Sequence, residues 1–418
     1  MIRLGLLFLF IIGHLFCSIS LSQEVRYLDS NSSLEQLPEP SSKAQKIVLY
    51  RKNISSFRSL LLAPVASWIE ADLIRARLFK NLDFSWDYQF QSVINSKDPK
   101  SHADSILENM FLAMGATENI SITGDMTWVG TQKAIRQSKV LLFRSSSQKV
   151  IEHFYGAEEK GKFIELFKFL EPAAVAGFAT SSLRKAGELE DKVTHYSPVI
   201  EASRELLPAN KGDSIINSLF SLDDLFVFSL KKEMIKAKVV AEKTLFLPFS
   251  STSASRVDSK GSFEEKQKLS DGTMASVVWN HEMHAFAQHA PWLPLTMRMI
   301  PRDTWIIEVF FNDPFYPSGK QVVVIDKESK LPFYKIVHDR YGEVSKTVFA
   351  AWSYLKNKDQ ANKEMVAVYP SFVVSVDRGA RRASTFRSLG VNVYSDEQAV
   401  ANESLKASFE AFKEEKVK

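Results

Sequence analysis

His281-Glu282-Met283-His284, with His289 a little further on, is the densest group of possible metal ligands in the sequence. Two histidines three apart can meet on one helical face and offer imidazole nitrogens to zinc. The zinc-protease pattern His-Glu-x-x-His needs a step of four, and His284 comes one residue too early for it. Carboxylates offer a second chemistry. Asp326 and Asp339 each close an apolar run, and a carboxylate pair of this kind, with Glu308, could do acid–base work. The same two aspartates would equally cap turns, their oxygens taking backbone N–H groups two residues on. No Gly-x-Ser-x-Gly elbow accompanies them. A secreted hydrolase or metal-dependent enzyme centred on His281, His284, Glu308 or Asp339 is thus one of two readings.

The other reading starts from apolar faces. In residues 304–311, Trp305, Ile307 and Val309 share one side of a strand, while Ile306 and Glu308 share the other. An isolated buried carboxylate is very costly, which places Glu308 outside and the apolar trio on a concave face. The apolar positions Tyr334/Ile336 and Phe372/Val374 are expected alongside. Trp305, Ile307, Val309, Tyr334, Ile336, Phe372 and Val374 are therefore the expected ligand-binding residues, with no catalytic residue, cofactor or metal.

These faces need strands to carry them. Polar breaks at Asn312-Asp313-Pro314, Lys327–Lys330 and Arg340-Tyr341-Gly342 separate runs at 302–311, 321–326, 332–339, 345–352 and 364–377. Such spacing reads as an antiparallel meander. Residues 140–143, 150–155 and 163–170 also lean towards strand. Helical patterns begin at Pro64, with Trp68, Ile69, Leu73 and Leu78 near one face, and at Ser101, with Ile106, Met110 and Leu112 inward and Gly115 as the stop. Alternation alone would permit a half-barrel, a lipocalin-like barrel or a sandwich. No glycine-rich fingerprint or strand–helix alternation supports a doubly wound sheet. The balance of 45% hydrophobic and 24% charged residues excludes wholesale disorder, and a net charge of +4 over 418 residues gives no reason to expect nucleic acid as a partner. Thirty phenylalanines suggest a large aromatic interior or a greasy cavity.

Between 302 and 346 the residues become distinctive: Arg302-Asp-Thr-Trp305-Ile-Ile-Glu308, Asp313-Pro-Phe-Tyr316, Lys320, Ile325-Asp-Lys-Glu328 and Asp339-Arg-Tyr-Gly342. This succession resembles the secreted family of outer-membrane lipoprotein-sorting protein homologues, a domain of unknown function. Leu170-Glu-Pro172 through Gly177-Phe178, Tyr196-Ser-Pro198 with Arg204, and Ser221-Leu-Asp-Asp-Leu225 are similar to the same family. The likeness spans about residues 45–400. Arg204 stands here between Glu201 and Glu205 where the family has several arginines, and Asn217-Ser-Leu-Phe replaces its Gly-Thr-Asp.

The resemblance implies the fold of the periplasmic lipoprotein carriers LolA and LolB, mainly β (α+β). This is a large, curved, incompletely closed antiparallel half-barrel, with helices covering the concave face. It also implies a carrier of lipid or acylated protein between an inner-membrane transporter and an outer-membrane component.

The N-terminus agrees with export. Arg3, the apolar run 4–16 and Ser20-Leu21-Ser22 have the three-part design of a cleaved signal peptide, giving a periplasmic protein that starts near Gln23. Residues 23–45 read as a flexible segment, 46–400 as a single domain and 401–418 as a charged, solvated tail. Cys17, the single cysteine, would leave with the signal. N-terminal sequencing of exported protein should therefore begin near Gln23, and the melting temperature should not change in reductant. A chain starting at Met1, or an acylated Cys17, would contradict this.

Overall fold

The structure, a computed structural model, describes residues 45–80, 99–115, 119–187, 190–249, 255–257, 263–265, 277, 279–282, 289–294, 297–358 and 364–413. The expected signal peptide and His284 lie outside them. The chain opens with β1 (Gln45–Leu49), α1 (Ala63–Glu70), β2 (Ala76–Lys80) and α2 (Pro99–Met114). Next come β3 (Asn119–Val129), β4 (Ala134–Ser145), α3 (Gln148–Tyr155), β5 (Gly161–Glu171), β6 (Ala179–Lys185), β7 (Lys192–Ser197) and β8 (Ala202–Leu206). Residues 207–234 form a run of short 3-10 turns, followed by β9 (Ile235–Phe249) and the small hairpin β10 (Ser255–Val257) and β11 (Phe263–Glu265). The second half is the expected meander: β12 (Arg298–Phe311), β13 (Lys320–Asp326), β14 (Pro332–His338), β15 (Val344–Lys358), β16 (Glu364–Asp377) and β17 (Ala383–Val393). Helices α4 (Asp396–Val400) and α5 (Glu403–Glu410) end it.

Fifteen strands form one sheet in the order β1-β2-β12-β13-β14-β15-β16-β17-β3-β4-β5-β6-β7-β8, with β9 along β12. Its pairings are antiparallel except for a single parallel pair between β2 and β12. Among the described residues β1 and β8 do not meet, so the sheet is not closed.

One face can be followed across the sheet by register. Ile307 lies beside Val323, then Lys335, then Val348. At the far end Ile122 leads to Leu142, Phe167, Thr180, His195 and Arg204. Lys211 bridges Glu165 on β5 and Asp223, whose Oδ2 takes the Tyr316 hydroxyl at the β13 end. Side chains from strands far apart in the order thus meet over one face, so the sheet curls towards it and this face is concave. α2 lies over it, with His102 edge-on to Trp305 and Phe111 stacked on Phe228, and the 207–234 turns lie beside α2.

The convex face also carries helices. Trp68 of α1 and Trp292 pack on Phe349. α3, α4 and α5 bury Val150, Ile151, Phe154, Leu405 and Phe409 against Phe143 and Leu166 in a second core.

Some local elements differ from what the sequence alone suggests. Residues 150–155 form α3, because Val150, Ile151 and Phe154 make one buried helical stripe. The first helix stops at Glu70, where Asp72 turns left-handed (φ 58°), and Leu78 belongs to β2. Leu112 is exposed while Ile106 and Met110 are fully buried. The C-terminal segment is not solvated throughout: Phe409 stacks on Phe154 with ring centroids 4.3 Å apart, since one face of α5 is apolar.

Candidate functional site

The seven residues expected to share a ligand face do not do so. Trp305, Ile307 and Val309 are on the concave face. Glu308 pairs across β13 with Val322 and then Ile336, while Ile306 leads through Val324 to Tyr334 and Phe349. Phe349 lies opposite Val374, and Phe372 points the same way. Tyr334, Ile336, Phe372 and Val374 are therefore on the convex face, under Trp68, Trp279 and Trp292. The parity is inverted because Lys335 turns inward: its Nζ bonds Asp224 Oδ1 (2.6 Å) and the Asp223 carbonyl (2.9 Å).

Glu308 faces away from Ile307, as expected, and holds Lys320 and Lys238 at 2.9 Å each. Bonding from Lys238 and Lys320 keeps its carboxyl below the usual range. Asp326 and Asp339 are turn caps. Asp326 accepts a two-pronged guanidinium from Arg302 (3.0 and 2.9 Å) and Ser329 N–H, and Asp339 accepts Tyr341 and Glu343 N–H. His281 stacks on Trp279, and its imidazole is pushed down to about 4 by burial and by Arg387. Glu282 is committed to the Trp279 N–H and to Arg387. Among the described residues no group of three His, Cys, Asp or Glu could hold a metal.

What the concave face does present is a cleft of about 240 Å³ over β5–β8. Phe167 and Phe169 rise from β5, Phe178 comes from the turn before β6, and Ile215, Ile216 and Leu222 roof it from the 207–234 run. Thr180, His195 and Arg204 follow one another across β6, β7 and β8 along one wall. His195 Nδ1 is 3.0 Å from Thr180 Oγ1 and its ring stacks on Phe178; burial and then Arg204 lower its pKa. Ile216 has φ 41° and ψ 55°. A β-branched residue in the left-handed region is a genuine outlier, and such strain gathers at ligand sites. The arrangement is an apolar floor with a polar edge, where Arg204 stands with His195, Asn210 and Asp213. It suits an amphiphile.

Sequence reasoning missed this cleft although its parts were visible. Phe178, Arg204 and Leu222 lie in the three shorter segments that carried the family likeness, and Phe167/Phe169 alternate in a noted run. Only the fold brings the 207–234 turns over them.

No family model matches the chain, and no curated protein does. Solved structures do resemble it. A protein designated an outer membrane lipoprotein-sorting protein domain, from Vibrio parahaemolyticus, is 14% identical with TM-score 0.46, covering 73% of this chain and 99% of its own. A DUF1329 family protein from Desulfovibrio piger is 13% identical with TM-score 0.47 over 74% and 100%. The chain is similar in shape to these proteins. A LolA superfamily protein from Nitrosomonas europaea is also similar, at 10% identity and TM-score 0.40 over 70% and 94%. Among the described residues no helix is long and apolar enough to cross a membrane.

Proposed function

We propose that this protein is a periplasmic carrier that shelters the apolar part of a lipid or acylated protein and performs no covalent chemistry. The observation that carries the reading is the cleft over β5–β8, concave, aromatic-floored and edged by Arg204 and His195. Apolar ligands favour concave sites with a few polar groups at the rim. The half-barrel supports it, since a sheet that stays open leaves a mouth for a chain to enter. Trp305, Ile307 and Val309 face the same side of the sheet from β12 but are buried and do not line the cleft. The His281/His284 enzyme is not favoured, because its carboxylate, Glu282, is committed to the Trp279 N–H and to Arg387.

Delipidated protein should take up a fluorescent fatty acid. Leu206→Trp, which puts an indole into the cleft, should weaken uptake about tenfold or more, equivalent to ~1.4 kcal/mol. Arg204→Glu should weaken it about fivefold if the carboxylate meets Arg204, since an exposed ion pair contributes up to ~1 kcal/mol. Uptake unchanged in both folded variants, or none in the parent protein, would sink the proposal.

A further inference from the structure

The cleft over β5–β8 carries few charges, and they are opposite. Of the described residues that line it only Arg204 and Asp213 are fully charged. His195 joins them as a neutral imidazole, since burial and then Arg204 hold its pKa below the ordinary value. Arg204 and Asp213 are both exposed. Among the described residues neither makes an ion pair, with the other or with any third group. The Asp213 carboxylate accepts one hydrogen bond, from Asn210 Nδ2 to Oδ2 at 2.7 Å.

Both charges are held at the edge. Asn210 takes the Leu207 N–H on Oδ1 (3.0 Å) while donating to Asp213, so the 3-10 turn 208–212 positions the carboxylate. Arg204 lies opposite His195 in the β7–β8 register, and His195 is fixed by Thr180 Oγ1 and by stacking on Phe178. Glu205, the next residue along β8, points to the other face of the sheet. Away from this edge the space turns apolar. Phe167, Thr180 and Leu222 also line a smaller cavity of about 20 Å³ that runs on to Leu225 and Phe226. Its single charged lining group, Glu165, is engaged by Arg144 and Lys211. The site thus has a polar end with one charge of each sign, and an apolar end whose only charge is already paired.

We propose that the cleft selects a phospholipid with a zwitterionic head, its phosphate meeting Arg204, its primary ammonium meeting Asp213, and its acyl chain running past Phe167 towards Leu225. An anionic head would satisfy Arg204 and set like charge against Asp213. A cationic head would do the reverse. Only a head that carries both signs meets both groups, and specificity follows from the repulsion as much as from the attraction. A primary ammonium also brings three donors, which the open oxygen of Asp213 can use. The inference rests on the carrier reading above and names the class of lipid that the same cleft takes.

The test is binding of chain-labelled fluorescent lysophosphatidylethanolamine and lysophosphatidylglycerol, with the same acyl chain, to delipidated exported protein. The ethanolamine lipid should bind about three- to fivefold more tightly, the effect of one exposed ion pair. Asp213→Asn should abolish that preference, and Asp213→Lys should reverse it in favour of the glycerol lipid. Arg204→Gln should weaken both lipids by about three- to fivefold. Leu206→Trp should weaken both without changing their ratio, which separates the head from the chain. Circular dichroism checks that each variant is folded. Phosphoethanolamine without a chain should displace almost no probe at concentrations where the unlabelled ethanolamine lipid displaces half. Equal displacement would overturn the lipid assignment in favour of a soluble phosphate ester. Equal binding of the two lipids, tighter binding of the glycerol lipid, or a ratio that Asp213→Lys leaves unaltered overturns the zwitterionic head while the carrier reading stands. If neither lipid binds, both readings fall.

Discussion

Asp224→Ala should destabilise the fold by about 3–5 kcal/mol, because it strands charge in the interior. Asp224 is 1% exposed as a side chain and lies between Lys335 (2.6 Å) and Lys346 (2.5 Å). It also accepts Ser221 N–H and the Ser221 hydroxyl, and so fixes the 207–234 run to the concave face. Lys335 has no solvent contact at its side chain, so without Asp224 its ammonium keeps only the Asp223 carbonyl. Lys335→Met should cost less, since Asp224 retains Lys346, and adding Lys335→Met to Asp224→Ala should restore part of the loss. Denaturant unfolding of the three variants checks this. Equal, additive losses would show that the charges do not act on one another.

The same network sets a pH dependence. Burial pushes Asp224 up, but Lys335 and Lys346 hold it well below the usual carboxylate range. Burial likewise raises Glu165, yet Arg144, Lys211 and Arg184 hold it down at about 2. A carboxylate depressed on folding contributes stability above its unfolded pKa and loses it as pH falls through the folded one. Stability should therefore decline from about pH 4.5 towards 2, and less steeply in Asp224→Ala.

Ile307→Ala is expected to cost about 2–5 kcal/mol, the loss for emptying a packed site. Ile307 has no solvent exposure; it lies beside Val323 in the main core, whose concave side α2 covers near Trp305. Ile307→Trp should also destabilise, by about 1–3 kcal/mol of overpacking. Both variants should take up the fatty-acid probe normally in their folded fraction, because the cleft lies over β5–β8. Glu308→Gln is the comparison: its half-exposed lysine pairs contribute about 0.2–1 kcal/mol. A small loss for Ile307→Ala together with blocked uptake in Ile307→Trp would make this face part of the ligand space instead.

The meander from 302 to 377 was legible because its strands alternate and its breaks are turn residues, both local properties of the chain. The caps at Asp326 and Asp339 were legible for the same reason. So was the outward direction of Glu308, which follows from the cost of burying an unpaired carboxylate. The family likeness at 302–346 corresponds to interactions that hold this hairpin region together: Arg302 on Asp326, Lys320 on Glu308, and Arg340 across two turns.

What only the tertiary structure decided is which face each apolar run presents and what covers it. Alternation around Tyr334 and Ile336 leaves Lys335 on the other side, and a lone lysine reads as the solvent side. Asp224, more than a hundred residues away in sequence, makes that side the interior, and with it the parity of β14 and β16 reverses relative to the expected set. Likewise Phe167, Phe169, His195 and Arg204 were ordinary strand residues until the 207–234 turns folded over them as a roof. Local chemistry chooses strand, turn and cap because those depend on neighbours in the chain. The concave face, its ion network and its cleft depend on partners that the chain brings together only by curling.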